Sequence, residues 1–297
     1  MGGPDTSVAY LVRIDEGLAP VRRFLAAYTG HDPGMAHHLL VLRRGFRTER
    51  EWAPFASAFD DHGVQHGVID LADAGYDLGA YRAAVMASGH DYLCFLNTFS
   101  EVLCDGWLEH LHRSAQLPGV GLAGATGSYE SVYSASVAAL SGPQRDGTSR
   151  WHRGLRQQMH AYRLRYQFPE YPNPHIRTNG FMLRRRLALT LRWGPYRTKH
   201  DALRGESGRF GLARQAASLG LRNLVVGRNG LAYEPDEWPL SRTFRSGDQS
   251  NLMIADNRTR QYSASPIEER LRLGRLAWGG QYLEEGADAP HEADTGD

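Results

Sequence analysis

The sequence predicts an α/β fold with a mostly parallel central sheet flanked by helices. Short apolar runs alternate with longer amphipathic stretches through residues 7–127, and this alternation is typical of parallel strands joined by helical crossovers. With 297 residues, the chain is long enough to bury the core of one large α/β domain. No internal repeat interrupts the pattern.

The predicted elements follow one another in regular order over this first part. Predicted strands cover residues 7–14, 37–46, 64–71, 91–97 and 119–127. Predicted helices cover residues 19–30, 49–63, 77–89 and 105–117. In the first helix, Val21, Phe24, Leu25 and Tyr28 share one side, so we expect that face to pack against the sheet.

The pattern loosens after Ser128. Residues 150–168 carry five arginines, and two interpretations stay open: a solvated helix face, or a surface that attracts a phosphate or an anionic acceptor. Those arginines are Arg150, Arg153, Arg156, Arg163 and Arg165. Beyond them we predict a proline-rich loop, a strand and a helix over 169–189, a short helix over 208–220, and a β-hairpin at Asn229-Gly230.

Composition excludes several classes of protein. A formal net charge of +1 provides no general attraction for nucleic acid or an acidic membrane. No apolar run approaches the about 18–20 residues of a transmembrane helix, and early charges argue against a signal peptide, so we expect a cytoplasmic protein without a transmembrane segment. Cys94 and Cys104 are too few for a disulfide framework, and we expect both reduced and structural.

The stretch "GVGLAG" (119–124) matches a dinucleotide-binding motif in letters alone. That motif needs its glycines after a strand and at the start of a helix, whereas these glycines precede the predicted strand and lie inside it. The histidines and the two cysteines show no zinc-binding spacing. We therefore reject both a dinucleotide fingerprint and a zinc site.

Polar side chains occur where the predicted strands end. The candidates are Arg13 and Asp15, Arg43 and Arg44, residues 70–77, and residues 97–101. In open parallel sheets, ligands bind beyond the carboxyl ends of the strands. We therefore expect the functional site along this edge.

Four stretches in a fixed order resemble one enzyme family. They are "DAGYDLGAYRAAVMASGHDYLCFLN" (73–97), "FLNTFSEVLCDGWLEHL" (95–111), "TNGFMLRRRLALTLRWG" (178–194) and "GESGRFGLARQAASLGLRNLVV" (205–226). Together they look like the frame of family 2 glycosyltransferases, which have the GT-A fold, a Rossmann-like architecture. The resemblance covers residues 7–227, and residues 236–262 match no standard element of the family.

This resemblance implies a domain organisation. Residues 1–283 would form a single GT-A-like domain. Its nucleotide-sugar-binding half would cover 7–127, its acceptor half 128–262, and a C-terminal elaboration 263–283. Residues 284–297 are acidic and nearly without apolar side chains, so we expect a disordered tail.

The sequence departs from the family at the metal-binding aspartate pair. Asn97 and Phe99 occupy the two aspartate positions, and Glu101 is the nearby carboxylate. Hard cations need charged oxygen ligands, so we expect Mg²⁺ or Mn²⁺ to bind weakly or not at all. Arginine forks bind phosphate in bidentate fashion and could replace the metal. The predicted donor-binding residues are Arg13, Asp15, Arg43, Arg44, Asp77, Asn97 and Phe99.

A second departure concerns the catalytic base. The family's base aspartate corresponds to Ser207, which leaves Glu206 as the predicted base and Asp201 as the reserve. The predicted acceptor-binding residues are Thr178, Asn179 and Trp238. Structural alternatives stay open: Glu206 as an N-terminal helix charge, Asp77 as an N-cap, and Asn97 as a turn residue.

We therefore expect a glycosyltransferase-like enzyme. It would transfer a sugar from a nucleotide-diphosphate donor to a hydroxyl acceptor, with inversion and with weak or no metal dependence. The alternative is a catalytically inactive GT-A-like module that binds a nucleotide or a glycan. Nucleotidyl transfer is disfavoured, because it usually needs carboxylates that hold two metals.

Overall fold

A computed structural model describes residues 5–71, 76–141, 159 and 161–282. The strands are β1 (Thr6–Arg13), β2 (His38–Arg44), β3 (Gly67–Leu71), β4 (Tyr92–Leu96), β5 (Glu101–Val102), β6 (Val120–Gly124), β7 (Gly127–Ser128), β8 (His175–Ile176), β9 (Gly180–Arg184), β10 (Arg222–Val226), β11 (Ala232–Tyr233) and β12 (Ile254–Ala255). The helices are α1 (Leu18–Gly30), α2 (Glu49–Asp61), α3 (Tyr76–Ala87), α4 (Trp107–Gln116), α5 (Val132–Ser141), α6 (161–167), α7 (Arg185–Thr190), α8 (Lys199–Ser207), α9 (Leu212–Ser218), α10 (Asn257–Ala264) and α11 (Ile267–Trp278). Much of the predicted basic helix, with Arg150, Arg153 and Arg156, and the predicted tail at 284–297 lie outside the described residues.

The central sheet has the order β11-β10-β6-β9-β4-β1-β2-β3. Strands β4, β1, β2 and β3 are parallel, and β9 runs antiparallel to both β4 and β6, so β6 is parallel to β4. Strand β10 is parallel to β6, and β11 returns antiparallel after the predicted turn at Asn229-Gly230. The predicted α/β class, with a mostly parallel sheet flanked by helices, is confirmed. The carboxyl ends of β1 to β4 therefore lie along one edge.

Side chains of β1 and β2 alternate between two cores on opposite faces of the sheet. Val8, Tyr10, Val12, Leu39 and Val41 pack with α1, α2 and α4, whereas Ala9, Leu11, Leu40 and Leu42 pack with α3, α9 and α11. Because successive strand residues point to opposite faces, the polar residues at the strand ends are also divided between the two faces. Arg13 and Arg44 continue the α3 face, and Arg43 continues the α2 face.

The C-terminal segment is joined to the middle of the chain. Strand β12 pairs with β5, and α11 adds the buried residues Ala277 and Trp278 to the second core. The Asp256 side chain accepts hydrogen bonds from the backbone N–H groups of Arg258 and Thr259, which caps the first turn of α10. Helix α10 therefore begins beside the end of β4.

Two expectations from composition can be compared with this fold. Cys94 and Cys104 are both free and buried, as predicted. Within the described ranges, no helix combines the length and the apolar character needed to cross a bilayer.

Gly124 is a point of close approach in β6. A Cβ atom at this position would lie 2.4 Å from Cγ2 of buried Ile176, and both flanking backbones are fixed by strand pairing. We expect Gly124→Ala to lower the free energy of unfolding by about 1–3 kcal/mol, measured by urea denaturation, because overpacked cores must shift. The matched control is Gly89→Ala, whose Cβ meets nothing within 4 Å. Equal stability of the two variants would contradict this account of the β6 contact.

Candidate active site

The carboxyl ends of β1 to β4 form one edge of the sheet, which we call the strand edge. On the face that packs against α3, this edge carries a cluster of opposite charges. Arg13 pairs with Glu16, and its Nη1 lies 3.6 Å from Oδ1 of Asp77. The guanidinium of Arg44 lies 5.5 Å from the centre of the Tyr76 ring. Asp15 lies exposed on the short 3₁₀ turn that follows β1. The predicted donor residues Arg13, Arg44 and Asp77 are therefore brought together.

Asp77 belongs to this cluster through charge as well as through contact. It lies in the first turn of α3, after Tyr76, so its interpretation as the N-cap residue is corrected. Burial raises the pKa of the Asp77 carboxyl, and the negative charge of Glu206 raises it further, while Arg13 and Arg44 oppose these effects. The carboxylates of Asp77 and Glu206 therefore interact electrostatically across the strand edge.

Arg43 points to the other face of the sheet and is fully engaged there. Its guanidinium forms paired hydrogen bonds with Asp70 and with Glu49, the latter at 2.9 and 3.0 Å, and lies 5.4 Å from the Trp52 ring centre. Hydrogen bonding to Asp70 and then to Glu49 raises the pKa of Arg43. The geometry argues against Arg43 as a diphosphate ligand, because strand alternation separates it from Arg13 and Arg44.

Asn97 shapes the turn after β4. Its Oδ1 accepts hydrogen bonds from the Phe99 N–H at 2.9 Å and from the Ser100 hydroxyl at 3.2 Å, and the residue is 9% exposed. The half-buried Phe99 offers a ring and a carbonyl oxygen, and that carbonyl accepts a hydrogen bond from Arg260 at 3.2 Å. The interpretation of Asn97 as a turn residue thus agrees with the geometry.

A divalent cation does not fit these residues. The Asn97 oxygen is used in the turn, Phe99 has no side-chain oxygen, and the Glu101 carboxylate binds Arg260 at 2.7 Å and Arg23 at 4.0 Å. A hard cation needs several charged or carbonyl oxygens directed at one point. Guanidinium groups, above all that of Arg260, instead supply the positive charge beside Glu101 at this end of β4. Arg260 was not predicted as a site residue, because it lies in the segment 236–262 that matches no family element.

Glu206 lies at the junction of the strand edge and an open pocket. Glu206 is the penultimate residue of α8, so it lies at the negative end of the helix dipole. Its interpretation as an N-terminal helix charge is therefore wrong. Its Oε1 accepts hydrogen bonds from the Thr178 N–H at 2.8 Å and from the Thr178 hydroxyl at 3.1 Å. Among the described residues, no hydrogen bond to Oε2 is found. Thr178 thus fixes the carboxylate and leaves one oxygen for chemistry.

Asp201 has a structural role at the other end of the same helix. Its side chain accepts from the Thr198 N–H at 3.0 Å in a capping box, and the hydrogen bonds from Thr198 lower the pKa of Asp201. Asp201 lines a separate pocket with Trp193 and Phe210, away from Glu206. The geometry therefore argues against the reserve assignment of Asp201 as base.

Two predicted acceptor residues are buried structural residues. Asn179 is 1% exposed and donates to the Ile254 carbonyl at 3.0 Å. Trp238 is also 1% exposed, and its indole N–H donates to the Tyr233 carbonyl at 3.0 Å. Neither side chain can reach an acceptor, because each is enclosed by the packing that its hydrogen bond holds in place. Thr178 alone of the three lies at the site.

An open pocket of about 560 Å³ extends from Glu206. Its charged lining residues are Glu130, Arg177, Glu206, Arg245, Arg258 and Arg275. Arg177 pairs with buried Asp256 at 2.7 Å, and Arg245 pairs with Glu130 at 2.7 Å. These arginines were missed in the sequence, although Arg177 directly precedes the Thr178 motif and could have been noticed there.

Comparison with known proteins gives structural likenesses only. No protein-family model matches the chain, and no curated protein matches it by sequence. A mannosyltransferase from Pyrobaculum calidifontis, solved with GDP-Man and Mn²⁺, is similar over 82% of this chain and 61% of its own, with a TM-score of 0.45 and 12% identity. S. aureus TarS 1–349, solved with UDP-GlcNAc, is similar over 40% of this chain and 33% of its own, with a TM-score of 0.29 and 10% identity. The chain thus spans less than two thirds of either structure.

Proposed function

We propose that this protein is a glycosyltransferase that moves a sugar from a nucleotide diphosphate to a hydroxyl acceptor. One observation carries the proposal: Glu206 is held by Thr178 between the strand edge that carries Arg13 and Arg44 and an open pocket. A carboxylate that is fixed through one oxygen can accept a proton at the other. The position suits a base between a donor on one side and an acceptor on the other.

The proposed reaction is an in-line displacement. Oε2 of Glu206 takes the acceptor hydroxyl proton as the acceptor oxygen bonds to the anomeric carbon. The bond from that carbon to the diphosphate breaks, and the electron pair leaves with the nucleoside diphosphate. Attack opposite to the leaving group inverts the anomeric centre.

Arginines would bind the leaving diphosphate in place of a metal. Arg13 and Arg44 lie at the ends of β1 and β2 on the α3 face, and Arg260 lies at the end of β4. Fixed guanidinium groups stabilise negative charge without the reorganisation that water would need. Asp77 would then orient Arg13, and the ring of Phe99 would form one wall of the donor site.

This arrangement predicts donor binding that is independent of divalent metal. We expect one of GDP-mannose, UDP-N-acetylglucosamine or UDP-glucose, at about 100 times its Kd, to stabilise the fold by about 2.7 kcal/mol in thermal-shift assays. The shift should be the same with Mn²⁺ and with EDTA. Slow hydrolysis of the stabilising donor would support an enzyme.

Other results of this experiment would redirect the proposal. Stabilisation that requires Mn²⁺ would overturn the role of the arginines. Stabilisation without hydrolysis or transfer would favour the inactive binding module, which the replacement of the usual base by Ser207 supports. No stabilisation by any nucleotide sugar would remove both functions.

A further inference from the structure

The pocket beyond Glu206 is separate from the strand edge. Glu206 and Arg177 line it, whereas Arg13, Arg44 and Asp77 do not. If Glu206 deprotonates the acceptor, as the proposed function requires, the acceptor must occupy the side of Glu206 that faces this pocket. The charged and apolar side chains that line the pocket then indicate the chemical class of the acceptor.

Two arginines of the pocket are buried around one aromatic ring. The guanidinium carbons of Arg177 and Arg245 lie 4.0 and 4.9 Å from the centre of the Phe244 ring. Their side chains are only 11% and 7% exposed. Nε of Arg245 is buried and has no hydrogen-bond partner among the described residues. Such a buried unpaired donor is costly, so this guanidinium is incompletely satisfied by the protein itself.

Two more arginines stand at the pocket without a described carboxylate partner. Arg258 and Arg275 are exposed, and neither forms an ion pair with a described acidic residue. Asp256 and Glu130 balance Arg177 and Arg245, which leaves two guanidinium groups against the single carboxylate of Glu206. The lining therefore has an excess of positive charge.

An apolar wall lines the same pocket. It consists of Val132, Ala135 and Ala138 from α5 together with Leu203 and Leu276. Ala135, Ala138 and Leu276 are exposed to solvent. An exposed apolar wall beside a group of cations suits a ligand with an apolar part and an anionic part.

We propose that the acceptor carries an anionic group, a carboxylate or a phosphate, beside the hydroxyl that receives the sugar. Arg258, Arg275 and Arg245 would bind the anion, and the α5 wall would cover an apolar part of the same molecule. This inference rests on the proposed function, since it takes Glu206 as the base. It adds a class of substrate that neither the strand edge nor the comparisons specify.

The test uses three probes that share a nitrophenyl ring. They are 4-nitrophenyl β-D-glucuronide, 4-nitrophenyl phosphate and 4-nitrophenyl β-D-glucoside, and their binding to the full-length protein is measured by isothermal titration calorimetry. Charge-assisted hydrogen bonds are worth more than neutral ones, so we expect a charged probe to bind at least about tenfold more tightly than the neutral glucoside. Preference for the glucuronide indicates a carboxylate, and preference for the phosphate indicates a phosphate ester.

The variants Arg258→Ala and Arg275→Ala locate the effect. Both residues are exposed, so the fold should persist, and the combined variant should lose the tenfold preference. The control Arg113→Ala removes an exposed arginine from α4 and should keep it. Equal binding of all three probes, or a preference that survives in the combined variant, would overturn the inference. Binding of nucleotide sugars, measured alongside, reports separately on the proposed function.

Discussion

Glu206→Gln is expected to abolish sugar transfer while donor binding persists. Glutamine keeps a carbonyl oxygen that can accept the two hydrogen bonds from Thr178, so the local geometry should survive. It cannot accept a proton, and general bases of this kind contribute about 10²–10⁴-fold to rate. The measurement compares kcat for transfer with the thermal shift produced by the donor.

The control for this prediction is Asp201→Asn. Asp201 caps α8 and lines a different pocket, so this variant should transfer sugar at nearly the normal rate. If Asp201→Asn is inactive and Glu206→Gln is not, the base has been assigned to the wrong carboxylate.

Arg177→Met is expected to cause the largest loss of stability. Arg177 and Asp256 form a buried pair at 2.7 Å, with side chains 11% and 2% exposed. Removal of one partner leaves a buried charge uncompensated, which costs about 3–5 kcal/mol. Urea denaturation at neutral pH measures this loss directly.

The matched control is Arg272→Met. Arg272 and Glu269 form an exposed pair at 2.6 Å, and exposed pairs contribute little because water screens them. A similar loss in both variants would show that the buried pair has no special role. The double variant Arg177→Met/Asp256→Asn should recover part of the stability, because it removes the uncompensated charge.

The Arg177–Asp256 pair also predicts how the stability of the protein depends on pH. Burial raises the pKa of Asp256, but Arg177 and the N–H groups of α10 together lower it below the ordinary 3.8. A group with a lowered folded-state pKa contributes stability above its unfolded pKa and loses it as the pH falls through the folded pKa. Without Arg177, burial favours the neutral form of Asp256, so the destabilisation by Arg177→Met, measured by urea denaturation, should be larger at neutral pH than at acid pH, where Asp256 is protonated.

Local sequence patterns were sufficient to predict the main strands of the sheet and some of the residues at the strand edge. The apolar runs of β1, β2 and β4 were recognised because strands buried on both faces carry apolar residues continuously. Arg13, Arg44 and Asp77 were placed together because the carboxyl ends of parallel strands share an edge. Arg43 lies on the opposite face from Arg13 and Arg44, because a one-residue difference in position reverses the face of a strand.

Long-range contacts could not be predicted in the same way. Arg260 reaches Glu101 and Phe99 across about 160 positions of the chain, and no local spacing encodes such a contact. Asn179 and Trp238 looked like surface polar and aromatic groups, but their hydrogen bonds to Ile254 and Tyr233 belong to the interior. Their burial depends on the path of residues 232–255, which carry little regular structure.

The contact of Arg260 with the end of β4 also bears on the order of events during biosynthesis. Strands β1 to β4 leave the ribosome first and can pair with one another, since their connections are local in sequence. The turn at Asn97 then stays without its guanidinium until residue 260 has been synthesised. A nascent chain would therefore possess most of its sheet before Arg260 could complete the proposed diphosphate site, so that site would be finished only late in maturation.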